Sequence, residues 1–62
     1  MKIEIKPLRL ATSMTQQELA DKVGVSASAM NFFENGLKLP SLTVAYNIAK
    51  TLGVKIDDLI VN

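Results

Sequence analysis

Residues that start helices and residues that stop them alternate along this chain, so no helix can be long. A Ser or Thr at a helix start accepts a hydrogen bond from a free backbone N–H. A Gly at a helix end adopts the left-handed conformation that other residues avoid. The start residues are Thr15, Ser26 and Ser41, and the stop residues are Gly24, Gly36 and Gly53. This alternation predicts several short helices joined by tight turns.

The second helix has the sharpest local pattern. Thr15 and Glu18 have the spacing of a capping box, in which each side chain satisfies a backbone N–H of the helix start. The helix is predicted over about 16–23, with Leu19, Ala20 and Val23 as its apolar stripe.

Four more helices follow from the same signals. They are predicted from between Ile5 and Pro7 to about Thr12, and over about 27–34, 42–52 and 56–60. The first should turn Ile5, Leu8 and Ala11 inward, and the fourth Leu42, Ala45, Ile48, Ala49 and Leu52. Residues 1–6 alternate apolar and charged residues, which suits either a short strand or a ragged helix start.

The predicted fold class is therefore all-α, a compact domain of five helices. Its core is expected to contain Leu19, Ala20, Val23, Met30, Phe33, Ile48 and Leu52. Regular strands that pair within the chain would contradict this class, whereas a strand limited to 2–5 would not.

Composition excludes several classes of function. With no Cys and no His, the chain has no disulfide, no Cys-ligated zinc and no histidine base. Its 7 basic and 6 acidic residues nearly balance, which excludes a protein that coats nucleic acid through an excess of basic residues. Asp57 and Asp58 suit the positive end of a helix better than a catalytic pair. We expect one domain over 1–62, cytoplasmic, not an enzyme, with no cofactor, no metal and no membrane span.

The second and third predicted helices form a helix-turn-helix unit. Ala20 is small where the helices cross, Gly24 permits the turn, and Met30 and Phe33 hold the third helix against the second. The outer face of the third helix can then enter a DNA major groove.

The ordered motifs Thr15-Gln16-Gln17-Glu18-Leu19-Ala20, Gly24-Val25-Ser26, Glu34-Asn35-Gly36, Pro40-Ser41 and Leu52-Gly53-Val54 extend over most of the chain. In this combination the chain resembles the phage-repressor/Cro type of helix-turn-helix regulators, the XRE family. The resemblance implies a lambda-repressor-like domain that binds operator DNA as a two-fold dimer and is associated with the nucleoid. It also implies a structural ion pair between Arg9 and Glu34.

The resemblance assigns candidate DNA-binding residues by position. Gln16 and Gln17 fall where relatives hold a phosphate, as do Ser26 and Asn35, and Lys38 lies in a loop that often meets the backbone. Ala27, Ser28 and Phe32 fall at base-reading positions, with Asn31 beside them. Ala and Phe can only touch a thymine methyl, so base specificity from direct hydrogen bonds is expected to be low. Any further specificity is expected to come from DNA shape.

Three positions depart from the family pattern in ways that concern stability. Pro7 is unusual in the first helix, Ser13 replaces the Gly common after it, and Lys55 replaces the Ser or Thr that commonly caps the fifth helix.

A dimer surface is expected within this domain, because no appended domain is seen. The expected residues are Val54, Ile56, Ile60 and Val61, on the fifth helix and the preceding turn. Two other functions remain open. One is an antitoxin that binds a toxin and autoregulates its operon. The other is a protein-interaction module that has lost DNA reading, as the apolar Ala27, Ala29 and Phe32 suggest.

Overall fold

The computed structural model describes residues 2–61 and has five helices and a short pair of strands. In chain order these are β1 (Lys2–Ile3), α1 (Lys6–Ala11), α2 (Gln16–Val23), α3 (Ala27–Glu34), α4 (Leu42–Leu52), α5 (Ile56–Leu59) and β2 (Ile60–Val61). The predicted all-α five-helix class is confirmed. Helices α2, α3 and α4 have the predicted bounds.

The α2 start shows why these bounds follow from sequence. The Thr15 hydroxyl accepts the Glu18 N–H at 3.0 Å, and the Glu18 carboxylate accepts the Thr15 N–H at 2.9 Å. The pKa of the Glu18 carboxyl is lowered, first by the backbone N–H of Thr15 that donates to it and second by the Thr15 side chain. At α5, Lys55 has no acceptor in its side chain. Asp58 supplies half of a capping box instead, accepting the Lys55 N–H at 3.0 Å.

The two ends of the described chain pair with each other. β1 and β2 run antiparallel, with Lys2 opposite Val61 and Ile3 opposite Ile60. The prediction that α5 continues to Ile60 is wrong, because Ile60 has extended backbone angles and joins this ladder. Of the two readings of residues 1–6, the structure forms the strand at Lys2–Ile3. At two residues each, the strands close the domain without changing its class.

The core is aliphatic and lies between α2, α3, α4 and α5, and Ile5 and Leu59 are also buried in it. Every predicted core residue is buried except Phe33, which is partly exposed and packs against the others.

Two residues predicted to face the core are exposed. Leu42 is 78% exposed, because a side chain in the first turn of α4 leans back beyond the helix end. Ala11 is exposed because the inner face of α1 is centred on Ile5 and Arg9, which lie one turn apart.

Arg9 is the buried charged residue that joins α1 to α3. Its Nε donates to Glu34 Oε2 at 2.7 Å, and Nη2 donates to Glu34 Oε1 at 3.1 Å. Its Nη1 donates to the backbone carbonyl of Met14 at 2.8 Å. The side chains of Arg9 and Glu34 are 8% and 3% exposed. The ion pair expected from the resemblance is thus formed and closed off from water.

Removing one partner of this pair should be costly. Glu34→Ala leaves the Arg9 guanidinium buried without its counter-charge, and we expect a loss of about 3–5 kcal/mol in the free energy of unfolding. The double variant Arg9→Met, Glu34→Leu removes both charges and should recover much of that loss. Urea unfolding followed by circular dichroism measures both variants. A double variant at least as destabilised as Glu34→Ala would contradict the prediction that the unpaired charge of Arg9 causes the loss.

Ser13, after α1, has φ +59°, the left-handed conformation that favours glycine. A residue with a Cβ pays about 1–2 kcal/mol there. Ser13→Gly should therefore raise the stability by about 1 kcal/mol, equivalent to about 4–8 °C in Tm for a domain of this size. Ser13→Ala keeps the Cβ and is the matched control, with no gain expected in a thermal melt. A gain in both variants would assign the effect to the hydroxyl instead of the backbone.

Candidate nucleic-acid interface

The turn between α2 and α3 sets the angle at which α3 stands on the domain. Gly24 has φ +80°, and the N–H groups of Gly24 and Val25 both donate to the Ala20 carbonyl, at 2.9 and 3.0 Å. Ala20 is fully buried, so the two helices pack closely at this point. The fully buried Met30 then holds the inner face of α3 in the core.

The opposite side of α3 carries four exposed residues, Ser28, Asn31, Phe32 and Asn35, the last at the helix end. Their spacing places them on one face over two turns. We call these four residues the α3 outer face. Three of the four are polar. Ala27 and Ala29 are only partly exposed and lie at its margin.

The start of α2 lies beside the α3 outer face. The side-chain amide nitrogen of Gln16 is 3.4 Å from Asn31 Oδ1 and 3.4 Å from Glu34 Oε1. Gln17 turns the other way, and its Nε2 donates to Asp21 on the same helix at 2.8 Å. The backbone N–H groups of Gln16 and Gln17 at the start of α2 have no acceptor within the helix and can donate to an anion from outside.

Two of the residues expected at phosphates also hold α3 itself. The Ser26 hydroxyl accepts the Ala29 N–H at 3.0 Å and caps the helix start. Asn35 ends the helix, and its Nδ2 donates to Asn31 Oδ1 at 2.9 Å. These structural roles leave the hydroxyl hydrogen of Ser26 and the second Nδ2 hydrogen of Asn35 able to donate to a phosphate.

Lys38 lies over the ring of Phe32. Its ammonium nitrogen is 5.5 Å from the ring centroid, within the range of a cation–π contact. Phe32 is 37% exposed, and its backbone carbonyl accepts the N–H of Leu37 at 2.9 Å. This contact holds a positive charge next to the α3 outer face.

The residues expected at a dimer surface are near the C-terminal end and differ in exposure. Val54 and Ile56 are partly buried against the core, while Ile60 and Val61 are 38% and 36% exposed on β2. A shallow groove lies alongside, lined by Tyr46, Ala49, Lys50, Val54, Lys55 and Ile56.

Sequence reasoning missed several contacts at this site. The spacing of Asn31 and Asn35, one helical turn apart, would have suggested their hydrogen bond. The contacts of Gln16 with α3 join separate helices, and no local pattern predicts them. Within residues 2–61 no helix has the length and apolar character needed to cross a membrane.

Several curated proteins similar to this chain are named as transcription regulators. A family profile described as Helix-turn-helix matches residues 5–59. An HTH-type transcriptional regulator of Archaeoglobus fulgidus is 43% identical over 61 residues, which cover 98% of this chain and 86% of the relative. The cryptic phage CTXphi transcriptional repressor RstR of Vibrio cholerae is 35% identical over 51 residues, 82% of this chain and 46% of RstR.

Two solved structures share the fold. The clp gene regulator ClgR of Corynebacterium glutamicum superposes with a TM-score of 0.84 at 26% identity, over 87% of this chain and 57% of ClgR. The biofilm regulator SinR, solved in complex with DNA, superposes with a TM-score of 0.79 at 30% identity, over 86% of each chain. The family is one of transcription regulators and not of enzymes. From its profile match, its relatives and its fold, the chain belongs to the helix-turn-helix family, of the XRE type that its motifs resemble.

Proposed function

We propose that this regulator binds specific double-stranded operator DNA and represses transcription by occupying it, with α3 in the major groove. The observation that carries the proposal is the position of the α2 start beside the α3 outer face, where Gln16 contacts Asn31. One surface therefore offers side chains for base edges and, next to them, free backbone N–H groups for a phosphate.

The chemistry of the α3 outer face favours DNA over a protein partner. Ser28, Asn31 and Asn35 are exposed and can form hydrogen bonds with base edges, and Phe32 can contact a thymine methyl. A protein-docking face would need a wider apolar surface. Ala27 and Ala29 are partly covered and do not supply it.

The proposal includes few contacts with the phosphate backbone of DNA, which agrees with the net charge of +1 of this chain. Lys38, held over Phe32, supplies a charge at one end of the α3 outer face, and the α2 start supplies N–H groups beside it. The DNA complex of SinR and the repressor function of RstR support a DNA-binding repressor over an antitoxin.

The same proposal includes a dimer, because one recognition helix contacts too few base pairs to define a unique site. Two copies on a two-fold axis would contact half-sites about 34 Å apart. The exposed Ile60 and Val61 support a weak seam at the C-terminal end, with Val54 and Ile56 at its margin. DNA binding would complete that seam and bring the protein to the nucleoid.

DNA binding is tested by fluorescence anisotropy with random and selected duplexes at several salt concentrations. The logarithm of the affinity should fall linearly with the logarithm of salt, by about 0.9 for each phosphate neutralised. Ser28→Glu places a negative charge on the α3 outer face and should weaken binding about tenfold or more, as like charges do at an interface. Leu10→Glu adds the same charge to an exposed site on α1 and is the matched control. A salt slope near zero, or equal losses in the two variants, would contradict the proposed interface.

The dimer is tested separately with Ile60→Lys, which charges an exposed apolar side chain of β2. We expect the folded variant to lose cooperative binding to a palindromic operator and to sediment as a monomer. Leu42→Lys is the control, because Leu42 is more exposed, at 78%, and lies outside the seam. If Ile60→Lys remains folded and binds like the unaltered protein, the seam is elsewhere or the protein acts as a monomer.

A further inference from the structure

A chain of hydrogen bonds runs from the buried ion pair to the α3 outer face. It begins at the Arg9 guanidinium, whose role as a donor is fixed. The Arg9 guanidinium has only donors. It donates to both oxygens of Glu34, at 2.7 and 3.1 Å, which is the geometry of an ionised carboxylate. An ionised carboxylate has only acceptors, so any further group that contacts it must donate.

That further group is the amide of Gln16. Its nitrogen lies 3.4 Å from Glu34 Oε1. If the amide were turned over, its oxygen would face the carboxylate oxygen and the two acceptors would repel each other. Glu34 therefore sets the orientation of the Gln16 amide. The same nitrogen has a second hydrogen, which points to Asn31 Oδ1, also at 3.4 Å.

Asn31 takes its orientation from Gln16 in turn. Its Oδ1 accepts from Gln16 and from Asn35 Nδ2, the latter at 2.9 Å. Turning the Asn31 amide over would set its NH₂ group against the NH₂ group of Gln16. Its oxygen is thus occupied, and within residues 2–61 its own Nδ2 has no hydrogen-bond partner on this exposed face.

We propose that Asn31 contacts operator DNA as a hydrogen-bond donor only and selects guanine over adenine. An asparagine with both groups free pairs with adenine, because it accepts from N6 and donates to N7. Asn31 has no free acceptor for the N6 amino group. Guanine presents two neighbouring acceptors, O6 and N7, and therefore suits a donor. The inference rests on the proposed function, since it needs α3 to lie in the major groove.

Gln16 is the positioning residue in this arrangement. Its side chain lies between Glu34 and Asn31. The acceptor-only carboxylate fixes which way the Gln16 amide faces, and that amide fixes which way the Asn31 amide faces. Its side-chain nitrogen is engaged inward, so its part in phosphate binding falls to its backbone N–H.

The first experiment selects an operator from random duplexes and measures affinity when each guanine is replaced in turn by 7-deazaguanine or adenine. One guanine in each half-site should lose about tenfold in affinity on either replacement. With Asn31→Ala, both replacements at that position should have no effect. Asn31→Asp keeps an acceptor toward Gln16 and Asn35 and presents a second oxygen outward. The preferred base there should change from guanine to cytosine, whose N4 amino group donates.

The second experiment tests the positioning role. Gln16→Ala removes one of the two donors to Asn31 Oδ1 and leaves Asn35, whose own amide can turn together with that of Asn31. The preference for guanine over adenine at that position should therefore shrink from about tenfold. Leu10→Ala changes an exposed residue of α1 outside the interface and is the control, which should leave that preference unchanged. Circular dichroism melts of each variant establish that it is folded.

The outcomes separate the two proposals. If the unaltered protein shows no salt-dependent DNA binding, the proposed function fails, and the role of Asn31 fails with it. If it binds DNA but Asn31→Ala leaves every base preference unchanged, only the inference is overturned. It is also overturned if the Asn31-dependent position prefers adenine and loses affinity when the N6 amino group is removed. Equal loss for guanine and adenine operators in Gln16→Ala would make Gln16 a backbone contact instead of a positioning residue.

Discussion

The buried contact of Arg9 with Glu34 and Met14 is the interaction on which the rest of this structure depends. Three segments meet at one guanidinium: α1, the turn before α2, and the end of α3. A buried ion pair contributes little net stability compared with apolar residues of similar shape. Its directional hydrogen bonds, however, allow one arrangement of these segments. We therefore attribute to Arg9 a part in orienting α3, together with the turn at Gly24, more than a contribution to the stability of the fold.

The surface chemistry of α3 follows from that orientation. Met30 holds one side of the helix in the core, and Glu34 faces Arg9, so Asn31 and Phe32 must face outward. The carboxylate then orders the amides that border it. Functional side chains work best when neighbouring contacts lock them on rigid elements. In this domain a structural ion pair does so for the proposed DNA-binding surface.

A domain of this size buries a small fraction of its surface and depends on the quality of its local structure. The capping hydrogen bonds of Thr15, Ser26 and Ser41 stabilise three helix starts, and the pairing of β1 with β2 joins the chain ends. Against these, the left-handed Ser13 stores strain where glycine would store none.

The sequence by itself determined the bounds of α2, α3 and α4 and the fold class, because a cap or a glycine stop acts through neighbours within about four residues. It also identified the region of the candidate site, since the order of the motifs is typical of one family. Tertiary structure alone decided that Ile60 joins a strand, that Leu42 and Ala11 are exposed, and that Gln16 contacts Asn31 and Glu34. Each of these depends on what lies opposite a residue in space. A helical pattern specifies which residues share a face, but the neighbouring elements decide which face is buried and which way a surface amide points.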